Sequence, residues 1–306
     1  MAPSPSGHGP GRRLAAALGC LMVLVAVLPA AACGVTPAAP SASPPATGVA
    51  TSADGAEPSV DATAAGDQPD PRVSARARVA PAPAVTIAAE GTFSWAFLDR
   101  TTGTRYQSDN ANVTSYTESM VKAWLAADSL TRAANGGWEP DDDLLVPMIR
   151  DSDDDAAETV YWNNGGNASI ERMISTCQLQ DTEIYDGCWS KTLMSARDAL
   201  SLGQCIADGT AAGAGTGWLL DEMRQVRGEG RFGIVDALNP DAAAALAMKN
   251  GWTLHYDDGE WRVNCLAIDA DWVLAVMTRY PGDLGLSYGS QLCAEVTRQI
   301  LGPDAD

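Results

Sequence analysis

Apolar and polar positions alternate with period two through TFSWAFLD (92–99). GTRYQSD (103–109) continues the strand pattern after a turn over Arg100–Thr102, so the first ordered stretch predicts two joined strands. The period then lengthens to that of a helix from Thr117 to Ala134, where Asn135, Gly136 and Gly137 stop it. Helical segments dominate to about Val226, in DDDAAETVYWNN, SIERMISTC, SARDALSLGQCIADG and GWLLDEMRQVR. Strand pattern returns in LAMKNGWTLHY, EWRVNCLAI and DWVLAVMTR, and an apolar-striped helix at SQLCAEVTRQIL follows. Strands at both ends with helices between predict an α/β fold in which terminal segments close the sheet around a helical insertion. A cleft between two such lobes is a usual place for a site.

Composition divides the chain before that fold begins. Arg12 and Arg13 precede an uncharged run of 19 residues, Leu14–Ala32, and small residues lead into Cys33 and Gly34. This predicts a secretory signal over 1–32. AAACG is similar to the processing box of bacterial lipoproteins, with Ala30 where leucine is usual, which implies lipidation of Cys33; a run of this length also fits an uncleaved membrane anchor. Either way the remainder is extracytoplasmic and held at the cell membrane. Residues 33–87 are rich in Ala, Pro, Ser, Thr, Gly and Asp and lack aromatics, too little apolar surface to offset ordering entropy, and are read as a tether. The rest, 88–306, suits one cored domain and holds all nine tryptophans. A formal net charge of −19 excludes nucleic acid and anionic lipid surfaces as partners and favours a soluble monomer that meets the membrane only through its N-terminal anchor.

Five cysteines follow the signal and the lipid site, at 177, 188, 205, 265 and 293, with no C-x-x-C pair. In an oxidising compartment they predict two bridges and one leftover thiol rather than a metal site, and no cofactor is expected. The acidic run Asp151, Asp153, Asp155 mimics a calcium loop, but Ala156 stands where glycine is required and Trp162 where a bidentate glutamate belongs. Asp141, Asp142 and Asp143 fit the negative first turn of a helix. With His8 in the signal and only His255 beyond it, a serine enzyme built on this chain needs another base. Lys191 and His255 have no chemical partner in the sequence and read as a solvated charge and a strand residue.

Lysine supplies that base. Of 20 basic residues only three are lysines, Lys122, Lys191 and Lys249, and in YTESMVKAW a helix would place Ser119 and Lys122 one turn apart on one face. A buried ammonium can lose its proton, whereas a guanidinium cannot. Ser119-Met120-Val121-Lys122, Ser152-Asp153-Asp154 and Lys249-Asn250-Gly251, in that order, resemble the S-x-x-K, S-D-N and K-T-G elements of the penicillin-recognising serine hydrolases, nearest to the class A β-lactamase-like group. MIRDSDDDAAE and SKTLMSARDAL resemble the surrounding helix segments, and the likeness covers about 90–302. It implies a β-lactamase-like fold with an antiparallel sheet of N- and C-terminal strands and a helical lobe between them. It also implies an acyl-serine formed with β-lactams or D-Ala-D-Ala peptidoglycan peptides.

In that chemistry Lys122 takes the proton of Ser119, Ser152 relays one to the leaving nitrogen, and Lys249 attracts a substrate carboxylate. The backbone N–H groups of Ser119 and, by resemblance, Trp252 form an oxyanion hole beside Gly251. The departures matter equally. Asp154 stands where the family has an asparagine that donates to substrate, and an ionised carboxylate can only accept and pair with Lys122. Asn250 replaces threonine but can still donate to a carboxylate. The loop from Asp154 to Thr192 is short for a deacylating class A enzyme, with Glu183 its most plausible carboxylate, and without such a base an acyl-enzyme persists. The alternative function is a catalytically impaired β-lactamase-fold lipoprotein that binds or scaffolds in the envelope. If the terminal helix packs on the sheet, Cys265 and Cys293 pair. Cys177 with Cys205 would clamp the base of the short loop, leaving Cys188 free; Cys177 with Cys188 is the other possibility.

Overall fold

The computed structural model describes residues 84–137 and 139–302. The signal, Cys33 and the tether as far as residue 83 lie outside them. The tether was expected to run to 87, yet Val85 and Ile87 pack against the core, and Thr86 exchanges backbone hydrogen bonds with the Gln299 side chain at 2.7 and 3.1 Å. Two alternating aliphatics are enough to dock this segment, so the folded region begins before residue 88.

Strands β1 (Thr92–Asp99) and β2 (Thr104–Gln107) form the expected hairpin. The C-terminal part supplies β5 (Ala247–Met248), β6 (Gly251–His255), β7 (Glu260–Ile268) and β8 (Trp272–Pro281). The sheet is antiparallel throughout, in the order β2-β1-β8-β7-β5, with β6 also on β7. LAMKNGWTLHY, read as one strand, is therefore two, and both hold one continuous register on β7. At the break Lys249 still donates its backbone N–H to Leu266 at 3.0 Å.

Period two on β7 sorts its side chains between the two faces of the sheet. Cys265 meets α8 (Gly285–Leu301) on one face through a disulfide to Cys293. Leu266 points to the other face, where α5 (Ala196–Ala207) approaches so closely that a Cβ on Gly203 would stand 2.8 Å from its Cδ1. The helical lobe comprises α1 (Lys122–Gly136), α2 (Asp142–Arg150), α3 (Asp154–Asn163), α4 (Asn167–Thr176), α5 and α6 (Thr216–Arg224), with a short α7 (Pro240–Ala245) ahead of β5. Gly137, left-handed at φ 72°, ends α1 by donating to Ala133, as the Asn-Gly-Gly stop predicted. A second bridge, Cys177 to Cys205, joins the end of α4 to α5. The expectation of a leftover thiol fails, because Cys188 is disulfide-bonded as well.

Two features escape the periodicity. β3 (Thr114–Tyr116) and β4 (Leu193–Ser195) form a separate two-stranded sheet, each too short to display a period. The expected helix from Thr117 opens instead as a 3-10 turn, Glu118–Val121, and Glu118 has φ +51°.

Candidate active site

Four segments meet around Ser119: the 3-10 turn and first residue of α1, the turn between α2 and α3, the short loop before β4, and the outer strand β6. The last comes nearest. A Cβ at Gly251 would lie 2.3 Å from the carbonyl oxygen of Thr117 and 2.8 Å from the nitrogen of Ser119, so only glycine allows β6 to pass this close to the turn.

Ser152 sits between two lysines. Lys249 Nζ donates to Ser152 Oγ at 2.9 Å, and Lys122 Nζ donates to the Ser152 carbonyl at 2.6 Å and reaches its hydroxyl at 3.4 Å. Ser152 has φ +60°, and its neighbours enforce that conformation. Pro147 accepts from the N–H groups of both Asp151 and Asp153, Arg227 clasps Asp151 with two charge-assisted bonds at 2.6 and 2.8 Å, and Asp153 caps α3 by accepting from Ala156 at 2.8 Å. The acidic run is thus used for a helix cap and an ion pair.

Both amines are fully buried. Burial pushes Lys122 below the ordinary lysine range, against the pull of Asp154, whose Oδ1 lies 2.5 Å from Nζ. Lys249 is pushed well below that range by burial and by the charge of Lys122, with Asp154 again opposing. The pairing of Asp154 with Lys122 follows the expectation from its acceptor-only chemistry. Among the described residues no group bonds the Ser119 hydroxyl, which is half-buried.

Two expected contributors make other contacts. Glu183 is exposed, its backbone is bridged to Leu193 by reciprocal bonds at 2.9 Å, and its carboxylate bonds none of Ser119, Lys122 or Ser152. Asn250 is turned inward, its amide donating to the carbonyls of Gly230 (3.1 Å) and Phe232 (2.8 Å), so it cannot donate to a substrate carboxylate as expected from its type. Trp252 is half-buried, edge-on to Phe232 at 5.6 Å.

Sequence reasoning missed other residues here. The buried Trp189 ring lies 4.9 Å from Lys122 Nζ, and its indole N–H donates at 2.9 Å to Glu158, which also accepts from Trp162 at 2.8 Å. Glu158 was legible in principle, being four residues after Asp154 on the same helix and hence on the same face. Lys191 lies over the rings of Tyr185 and Tyr116 at 5.3 and 6.0 Å rather than free in solvent. His255 is buried against Glu118, with Nε2 and Oε1 2.7 Å apart.

The architecture is shared with solved enzymes. It aligns with a β-lactamase from Chitinophaga pinensis DSM 2588 at TM-score 0.58 and 18% identity, covering 68% of this chain and 92% of that one. TLA-1 extended-spectrum β-lactamase gives 0.60 and 13% over 69% and 92%, and the ancestral class A β-lactamase GNCA gives 0.57 and 16% over 69% and 94%. The fold is β-lactamase-like. At such identities the likeness establishes the fold alone. No family model matches the chain. In sequence it is 33% identical over 178 residues to "Putative lipoprotein LppW" of Mycobacterium tuberculosis H37Rv and of Mycobacterium bovis, over 53% of this chain and 54% of each relative. The chain therefore spans about half the length of the curated relatives it matches.

Proposed function

We propose that this chain is an extracytoplasmic lipoprotein whose domain forms an acyl-serine at Ser119 with β-lactams or D-Ala-D-Ala peptides and releases it slowly. The observation that carries the reading is the convergence of two buried amines, Lys122 and Lys249, on Ser152 beside the turn that bears Ser119. Lys122 accepts the Ser119 proton, Oγ bonds the carbonyl carbon, the carbon–nitrogen bond breaks, and Ser152 passes a proton to the leaving nitrogen. The N–H groups of Ser119 and Trp252, on either side of the Gly251 contact, take the oxyanion. Slow release is supported by Glu183, which is exposed and bonds neither Lys122 nor Lys249, and by the indole of Trp189 packed beside Lys122.

A second reading, a binding lipoprotein that keeps the cleft without the reaction, is favoured by one observation: the Lys122 amine is engaged by Asp154 while the Ser119 hydroxyl has no partner among the described residues. Intact mass after incubation with a penicillin decides between them. The expected result is an adduct of the whole lactam that persists for hours and is lost in Ser119→Ala. An unchanged mass at millimolar penicillin gives the second reading its place.

A further inference from the structure

Glu118 carries two costs. It is a non-glycine residue at φ +51°, a conformation worth about 1–3 kcal/mol of strain, and its carboxylate is 97% removed from solvent, which an apolar residue would avoid. Strain and burial of this kind persist only where the surroundings hold the residue in place, and here the carboxylate meets His255, itself 9% exposed, at 2.7 Å. His255 is the last residue of β6, and the same strand touches the same turn at Gly251. Four residues at about 3.3 Å each separate the two contacts, roughly 13 Å of strand. A third tie comes from β7, where buried Asn264 donates to the carbonyls of Tyr116 at 2.8 Å and Thr117 at 3.4 Å.

We infer that the Glu118–His255 pair is a positioning device for the oxyanion pocket. It fixes the spacing between the turn that carries the Ser119 N–H and the strand that carries the Trp252 N–H. Neither residue touches substrate. β6 is laddered to β7 from Gly251 to His255, and on the side that meets the turn Gly251 sets the gap at one end of the strand while the Glu118–His255 pair sets it about 13 Å along. The charged surroundings are consistent with a retained pair. Arg262 of β7, whose charge Glu118 helps to hold, is clasped by Asp258; Asp257 stands 3.9 Å from His255 Nδ1; and Tyr116 of β3 lies against His255, with Lys191 and Arg262 over its ring.

The inference rests on the acyl-serine reading for its catalytic consequence but not for its structural one, so two measurements are made on full-length His255→Ala, His255→Gln and Glu118→Gln. The first is the rate of penicillin adduct formation by intact mass. His255→Ala should acylate roughly ten- to a hundredfold more slowly, whereas His255→Gln, which can still donate to Glu118, should recover most of the rate. The second is hydrogen exchange, which should accelerate in His255→Ala at 118–120 and 252–254 and not across β1 and β8. Exchange that is unchanged there, or faster evenly over the whole sheet, overturns the pair as a positioning device. If the wild-type protein itself fails to acylate, the acyl-serine reading falls, and exchange alone still decides whether the pair ties the strand to the turn.

Discussion

Asp154 is the residue on which the chemistry of this site turns. Its carboxylate holds Lys122 at 2.5 Å, and with 39% of its side chain accessible it would repel the carbonyl oxygen of a substrate bound at Ser119. Asp154→Asn replaces an acceptor with a donor and releases the amine, so acylation should quicken about tenfold, the worth of one restored hydrogen bond of roughly 1.4 kcal/mol; adduct growth by mass against time reads it. An equal rate would show that the carboxylate does not restrain the amine, and a lower one would assign the aspartate a part in the reaction itself. Lys249 makes a different prediction. Its folded-state pKa lies below the ordinary 10.5, so between those values the unfolded chain binds the extra proton and stability rises with pH. The slope is at most about 1.4 kcal/mol per pH unit for one proton. Urea midpoints from pH 7 to 10 should therefore climb in the wild type and climb less in Lys249→Met, which leaves only Lys122 contributing in the same sense.

Among the elements, the long ones could be read from the chain and the short ones could not. Strands β7 and β8 and helix α8 each run for 9 residues or more, long enough for a period to repeat several times. β3 and β4 run for three residues each, and their pairing is decided by tertiary contact alone. The site divides in the same manner. Ser119, Lys122, Ser152 and Lys249 are local motifs and were legible, whereas Glu118 with His255 joins positions 137 apart and carries no local signal. Asn250 illustrates the limit: its residue type permits donation to a ligand, but two loop carbonyls claim the amide first. The bridges followed from topology, since Cys265 and Cys293 lie on a strand and on the helix that covers it. Each closes 28 residues, for which loop entropy gives roughly 3–4 kcal/mol. Replacing Cys265 and Cys293 together by serine should lower unfolding free energy by that order in denaturant titration, with the adduct at Ser119 still forming, because α8 covers the sheet face away from α5.

At the scale of the whole molecule, acidic surplus is the dominant property, and its arginines are largely spent on local pairs. Arg262 holds Asp258 down to about 2. A depressed carboxylate contributes stability above its unfolded value of about 3.8 and loses it as pH falls toward 2, so melting temperature should drop across that window and drop less in Asp258→Asn. Solvent screening of this partly exposed pair limits the difference to about 1 kcal/mol. The docking of residues 84–87 has a mechanical consequence. Any pull from the part of the chain that precedes them arrives at the Thr86–Gln299 bonds and passes into α8, which Cys293 rivets to β7. The load thus enters the molecule through a helix that is covalently fastened to β7 and spreads into the middle of the sheet before it reaches β6 and the serine turn. A force applied at residue 84 would therefore be shared between a disulfide and a run of sheet hydrogen bonds before it bears on the turn at Ser119.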